Sequence, residues 1–103
     1  MNTAFVLINT SKGTIDDTAQ SLIEIRGVSE VYSVAGDWDL IAIVKIKNSE
    51  QLPILINKKI LQIDGMEKTT TLLAFKVFSK KDLEKMFSIG LEQGISLKKI
   101  RPT

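Results

Sequence analysis

The chain has 103 residues, of which 44% are hydrophobic and 25% charged, and its formal net charge of +2 is that of an ordinary globular domain. Cysteine and histidine are both absent, which excludes disulfides, thiol nucleophiles, histidine-based acid–base catalysis and the commonest zinc, copper and haem ligands. No apolar run approaches the ~20 residues that span a bilayer, and no signal-peptide pattern precedes the first run, so we expect a cytoplasmic protein without a membrane partner.

The first predicted elements are a strand, a helix and a second strand. Residues 4–8 form a short apolar run that ends in turn-forming residues, which indicates a strand buried on both faces. Thr14, three residues before Asp17, has capping-box spacing and predicts the start of an amphipathic helix that Gly27 ends. Residues 28–35 are rich in residue types that favour strands.

The next predicted elements are a strand, a helix and a last strand. Residues 40–46 are almost all aliphatic and form a predicted hairpin with the preceding strand. Ser49 is placed to cap a second helix, which tolerates Pro53 in its first turn and extends to Gly65. Residues 67–78 predict a fourth strand. With right-handed crossovers this order gives an α+β, ferredoxin-like βαββαβ fold, a four-stranded antiparallel sheet with two helices on one face.

The two predicted central strands, residues 4–8 and 40–46, carry apolar side chains on both faces, whereas two helices cover only one face of a sheet. One of these two apolar sets comprises Phe5, Leu7, Ile41 and Ile43. We therefore expect a dimer through sheet faces, or else a cover supplied by the C-terminal residues.

The C-terminal part differs from the rest in charge. Residues 1–75 carry a net charge of −2 and residues 76–103 a net charge of +4. Capping-box spacing recurs at Ser79 and Asp82, and an amphipathic pattern with a basic end follows. We predict a domain over residues 1–78 and a C-terminal helical extension over residues 79–103. The extension is expected to pack on its own subunit or on a neighbour, with contact to a membrane or nucleic acid as the alternative.

The hairpin link, Gly36-Asp37-Trp38-Asp39, holds the only tryptophan of the chain between two carboxylates. Glycine and aspartate are typical of turns, but a turn does not require tryptophan. A large aromatic ring at a polar tip is expected to be covered by a ligand, by another subunit or by its own fold. The link is therefore a candidate site as well as a turn.

This segment is one of several that together resemble the ligand-binding, or amino-acid-metabolism regulatory, domain of the Lrp/AsnC transcriptional regulators. The others are Val28-x-x-Val31, Ile63-Asp64-Gly65-Met66 and Thr69-Thr70-Thr71, and the resemblance covers about residues 3–78. It implies dimers that pair their sheets, further assembly into rings such as octamers, and an amino-acid effector bound between subunits near the hairpin. Family regulators carry an N-terminal helix-turn-helix domain, whereas this chain starts at the first predicted strand, so it resembles a stand-alone form of the domain.

The resemblance also implies which residues bind the effector. They are Gly36, Asp37, Trp38, Asp39, Thr69, Thr70 and Thr71. Asp37 or Asp39 can accept the ammonium group of an amino acid, while backbone N–H groups near Gly36 and the threonine hydroxyls can donate to its carboxylate. As an alternative, the aspartates cap the hairpin, Trp38 anchors an oligomer, and the threonines are ordinary strand residues.

The function expected from these observations is a regulatory module, not an enzyme, that binds an amino acid and has no DNA-binding domain of its own. It would act through its oligomeric state and by modulating full-length Lrp/AsnC-type regulators. We expect no cofactor and no metal. We also expect no sequence-specific DNA binding, because no helix-turn-helix pattern is present. The alternatives are a small ferredoxin-like dimeric enzyme, against which the missing histidine and cysteine count, and a purely structural assembly protein.

Overall fold

The computed structural model describes residues 1–80, which form one antiparallel sheet and two helices. The elements in chain order are β1 (Asn2–Thr10), α1 (Ile15–Ile23), β2 (Val28–Ser33), β3 (Leu40–Ile46), α2 (Gln51–Leu55) and β4 (Met66–Leu73). The helix α2 continues directly as a π-helical turn over Ile56–Ile60. The strand order is β2-β3-β1-β4 and every neighbouring pair is antiparallel. The predicted α+β ferredoxin-like fold is confirmed.

One face of the two central strands, β1 and β3, forms the core beneath the helices. Directly opposite residues of an antiparallel pair lie on the same face, and here the opposite pairs are aliphatic and fully buried. The fully buried positions of the two strands are Ala4, Val6, Ile8, Leu40, Ala42 and Val44. From the helical layer, Leu22 of α1 and Ile60 of the π-helical turn are also fully buried in this cluster.

The other face of the sheet, which we call the open face, remains accessible within the described residues. Its central positions on β1, β3 and β4 are Phe5, Leu7, Ile41, Ile43, Thr70 and Leu72. Phe5 is 37% exposed and Leu72 51% exposed. On the edge strand β2, Tyr32 lies opposite Ile41 on this face, and its hydroxyl donates a hydrogen bond to Glu30. That hydrogen bond and the negative charge of Glu30 raise the pKa of Tyr32.

The last strand is shorter than predicted. It ends at Leu73 instead of residue 78, and the Ala74 N–H donates to the Thr3 carbonyl at 2.9 Å just beyond its end. By extension of the register, Phe75 lies opposite Asn2, the first residue of β1, so residues 76–78 extend past this strand, and Phe75 is 99% exposed. The predicted C-terminal helix lies almost wholly outside the described residues. Within residues 1–80, no helix is long and apolar enough to cross a membrane.

The start of α1 is correctly located and that of α2 is one residue later than predicted, and the predicted side-chain caps are not formed. The Thr14 hydroxyl donates to the Ser11 carbonyl at 2.8 Å instead of accepting a hydrogen bond from the first turn of α1. The residue that precedes α2 is Glu50, not Ser49, and no side chain caps this helix. The second helix is present, but its second half is a π-helical turn that ends at Ile60, before the predicted end near Gly65.

Candidate functional site

The site begins with the link between β2 and β3. The Val34 N–H donates to the Asp39 carbonyl at 3.0 Å, which closes the hairpin around the intervening residues. Gly36 has a φ of +125°, a backbone conformation that residues with a Cβ rarely adopt. Nothing lies within 4 Å of the position that a Cβ would take there. Gly36 and Asp37 are exposed, whereas Trp38 and Asp39 are partly buried. The link therefore presents one carboxylate to solvent and turns the other inward.

Asp39 connects this link to the end of β1 through hydrogen bonds. Its Oδ2 accepts the Thr10 N–H at 2.9 Å, and its own N–H donates to the Ile8 carbonyl at 3.0 Å and to Asn9 Oδ1 at 3.1 Å. The pairing of β1 with β4 is irregular between Asn9 and Thr10, where β1 ends. One carboxylate oxygen of Asp39 is thus occupied by the fold itself.

Trp38 and Asp37 face different surroundings. The Lys68 Nζ lies 5.4 Å from the centroid of the Trp38 ring, which is a cation–π distance. Lys68 is on β4, directly opposite Asn9 of β1. Among residues 1–80, the exposed Asp37 carboxylate has no hydrogen-bond or ion-pair partner. Lys68 thus lies near the Trp38 ring, and the carboxylate of the preceding residue, Asp37, is exposed to solvent.

The three threonines of β4 do not share one face of the sheet. Thr69 and Thr71 lie opposite Ile8 and Val6, on the helix side, whereas Thr70 lies opposite Leu7 on the open face. This is the two-residue period of a strand, which sends successive side chains to opposite sides. Thr69 is in the row of Leu40, the first residue after the link, and Thr71 is one row further from it. The structure thus does not bring all seven predicted residues to one side of the sheet.

Sequence reasoning missed three residues of this site: Asn9, Thr10 and Lys68. They come from the end of β1 and the beginning of β4, and only the register between these strands brings them to the link. The sequence signal for Asn9 and Thr10 is their position directly after an apolar strand. Lys68 carries no local signal, because it is one of several exposed lysines. Within residues 1–80, no group of three or more Asp, Glu, His or Cys side chains could hold a metal ion.

Comparison with known proteins agrees with this fold. A family model described as "Lrp/AsnC ligand binding domain" matches residues 3–83. The uncharacterized HTH-type transcriptional regulator PF0250 of Pyrococcus furiosus is 37% identical over 76 residues, which is 71% of this chain and 51% of that protein. This chain thus spans about half the length of the curated relatives it matches, which are named as transcriptional regulators.

Two solved structures share the fold. TTHA0845 from Thermus thermophilus is 40% identical with a TM-score of 0.73, and the match covers 77% of this chain and 99% of that one. The transcriptional regulator NMB0573 of Neisseria meningitidis, solved as an L-Met complex, is 15% identical with a TM-score of 0.70. That match covers 76% of this chain and 52% of the regulator, and at this identity it concerns the fold alone.

Proposed function

The chain belongs to the Lrp/AsnC ligand-binding domain family, and from this premise we propose that it is a regulatory module that binds a free amino acid at the hairpin link. Binding would act through the oligomeric state of the module, by contact with further copies and with full-length regulators of the family. The proposal assigns no chemical reaction to the chain.

The observation that carries the proposal is the arrangement of charge around Trp38. Asp37 adjoins the tryptophan in sequence and has no partner within residues 1–80, while Lys68 approaches the ring from β4. A free amino acid carries an ammonium and a carboxylate on the same carbon, so it needs one acceptor and one donor a short distance apart. Asp37 supplies the acceptor, and Lys68 together with the backbone N–H groups of the link supplies donors.

The structure also favours different roles for the two aspartates. Asp39 already accepts the Thr10 N–H at 2.9 Å, so it holds the link in place. Asp37 is therefore the acceptor that we assign to the ammonium group. Of the threonines, Thr69 lies in the row next to the link and Thr70 faces the same side as Leu7, so these two are better placed than Thr71 to reach a ligand there.

The open face supports the assembly part of the proposal. It presents a row of apolar side chains at the centre of the sheet, and Phe5, Leu72 and Tyr32 are each more than one third exposed. Contiguous apolar surface of this kind marks an interaction site in soluble proteins. A second copy that packs its open face against the first would bury both surfaces with twofold symmetry.

The test is a thermal-shift screen of the parent protein against the common amino acids, L-methionine included, followed by titration of any hit. A ligand at a hundredfold excess over its Kd stabilises the folded state by about 2.7 kcal/mol. Asp37→Asn keeps the size of the side chain but removes its charge. We expect it to raise the Kd by about one to two decades, because a lost charged hydrogen bond costs roughly 1.5–3 kcal/mol.

The matched control is Asp16→Asn, which removes the same charge from an exposed position on α1. It should leave the Kd within about twofold of the parent value, since the charge that it removes lies on a different element. If Asp37→Asn binds the same amino acid as tightly as the parent does, the site assignment is wrong. If no amino acid stabilises the parent, the amino-acid part of the proposed function is wrong.

A further inference from the structure

A concave surface lies at the end of the central strands that is opposite to the hairpin link. It is a pocket of about 660 Å³ between the turn that follows α1, the end of β3 and the helix α2. Along β3, Ile46, which lines the pocket, is six positions after Leu40, the residue next to the hairpin link. At about 3.3 Å per residue this is roughly 20 Å, so the pocket is separate from the site around Trp38.

The charged side chains of this pocket are all of one sign. Arg26 reaches it from the turn after α1, Lys47 from the end of β3 and Lys59 from the π-helical turn, and Lys45 also lines it. No acidic residue is among the described residues that line it. Lys45 donates to the Thr3 hydroxyl at 2.9 Å, which leaves Arg26, Lys47 and Lys59 to meet a ligand. Three cations without a counter-charge favour an anion of more than one negative charge.

The remaining surface of the pocket is mostly apolar, with Gln51 as its one uncharged polar side chain among the described lining residues. Ile46, Ile54 and Leu55 line it, and Ile54 is 58% exposed despite its size. An opening of this volume is within the usual range for sites that bind small organic molecules. The combination of an apolar wall with a cluster of cations is therefore suited to a molecule that has an apolar body and an anionic group.

The helix that carries Lys59 is irregular at this point. The Leu61 N–H donates to the Ile56 carbonyl at 2.8 Å, five residues earlier, so the chain makes a π-helical turn over Ile56–Ile60. Such single turns are rare and are found frequently at functional sites. This turn keeps Ile60 in the core while Lys59 reaches the pocket.

From these observations we propose that the pocket is a second ligand site, which binds a small organic phosphate through Arg26, Lys47 and Lys59 and holds its apolar body against Ile54. A guanidinium group matches the oxygens of a phosphate in two-point hydrogen bonding, and lysine adds compact positive charge. A zwitterionic amino acid fits less well here, because its ammonium group would lie among three cations. The proposal does not depend on the function assigned to the hairpin link.

The experiment is isothermal titration of the full chain with ADP and, separately, with pyrophosphate and adenosine at fixed ionic strength. ADP carries both an aromatic base, whose face can pack against an apolar side chain, and a diphosphate, whereas each of the other probes lacks one of the two. We expect ADP to bind more tightly than pyrophosphate and adenosine to show no binding. Absence of ADP binding to the parent protein, or equal binding of adenosine, would overturn the proposal.

Two pairs of substitutions locate the binding. The first is a double variant, Arg26→Gln with Lys59→Gln, and we expect it to raise the Kd for ADP at least about tenfold. The second, Lys12→Gln with Lys76→Gln, is the control: it removes the same charge from exposed positions elsewhere and should change the Kd less than about twofold. Equal weakening by both pairs would mean that net charge alone attracts the ligand, and the site would be refuted. Ile54→Ser should weaken ADP and leave pyrophosphate unchanged; an unchanged affinity for ADP would refute the apolar contact. All of these positions are exposed, and unchanged melting temperatures of the variants would show that they fold.

Discussion

At the scale of single residues, the two aspartates of the hairpin link are chemically alike and structurally different. Asp39 points inward and accepts a backbone N–H from the end of β1, whereas Asp37 points outward and has no partner in the described part of the chain. A buried hydrogen bond to a charged group contributes about 1.5–3 kcal/mol to stability, but an exposed carboxylate without a partner contributes little. The same residue type thus stabilises the fold at one position and is available to a ligand two residues earlier.

We predict that Asp39→Ala lowers the free energy of unfolding by about 1–3 kcal/mol, because the Thr10 N–H loses its carboxylate acceptor at a partly buried position. Urea denaturation measures this change. Asp37→Ala is the control and should alter stability by less than about 0.5 kcal/mol. Equal destabilisation by the two substitutions would contradict the structural role assigned to Asp39.

At the scale of elements, the approach of β4 to α1 depends on a close packing at Gly65. Its φ of +91° is unfavourable for other residues, and a Cβ there would lie 2.8 Å from Thr14 Oγ1 and 3.2 Å from Thr18 Oγ1. The Gly65 carbonyl also accepts the Ser11 N–H at 2.8 Å. One glycine therefore joins the start of β4, the end of β1 and the first turns of α1.

Gly65→Ala should destabilise the fold by more than Gly13→Ala does. Gly13 has a comparable φ of +82° but nothing within 4 Å of its Cβ position, so alanine there adds only backbone strain, about 1–2 kcal/mol. Thermal or urea unfolding measures the loss of unfolding free energy in each variant. We expect the loss in Gly65→Ala to exceed that in Gly13→Ala by about 1–3 kcal/mol, and this difference is the cost of the contact with α1. Equal losses of unfolding free energy in the two variants would show that α1 shifts to accommodate the Cβ without loss of stability.

The element scale also shows what the sequence could predict. The range of β3, Leu40–Ile46, follows from its own aliphatic residues and is confirmed to the residue. The end of β4 does not follow from its own alternation, because it depends on pairing with β1: the pairing ends at Leu73, opposite Ala4, and β1 continues for only two residues beyond Ala4. The hairpin link was recognisable from Gly36 and Trp38, but its contacts with Thr10 and Lys68 depend on register, which local patterns do not encode.

At the scale of the whole molecule, the sheet has one covered face and one open face. Substituting a central residue of the open face tests the proposed dimer directly. Light scattering at micromolar concentration should give the parent a mass of at least twice the 11.5 kDa of the chain. Leu7→Lys places a charge at the centre of this face, where an unpaired buried charge costs several kcal/mol, and should reduce the mass to that of one chain.

The control for this measurement is Leu61→Lys, which adds the same charge at an apolar position that is 42% exposed and lies after the π-helical turn. Its mass should equal that of the parent. A parent protein that is monomeric at micromolar concentration would refute the dimer, and so would a Leu7→Lys variant that keeps the parent mass.

The central place of β1 in the sheet has a consequence for how the chain is made. This strand is synthesised first, but its two neighbours are β3 and β4, which end at Ile46 and Leu73. At translation rates of 5–20 residues per second, roughly 4 to 14 seconds pass between the synthesis of β1 and that of the end of β4. Throughout this time the run from Ala4 to Ile8 is an aliphatic segment without its complete set of partners. We therefore expect the nascent domain to be prone to aggregation along β1 until β4 has been synthesised.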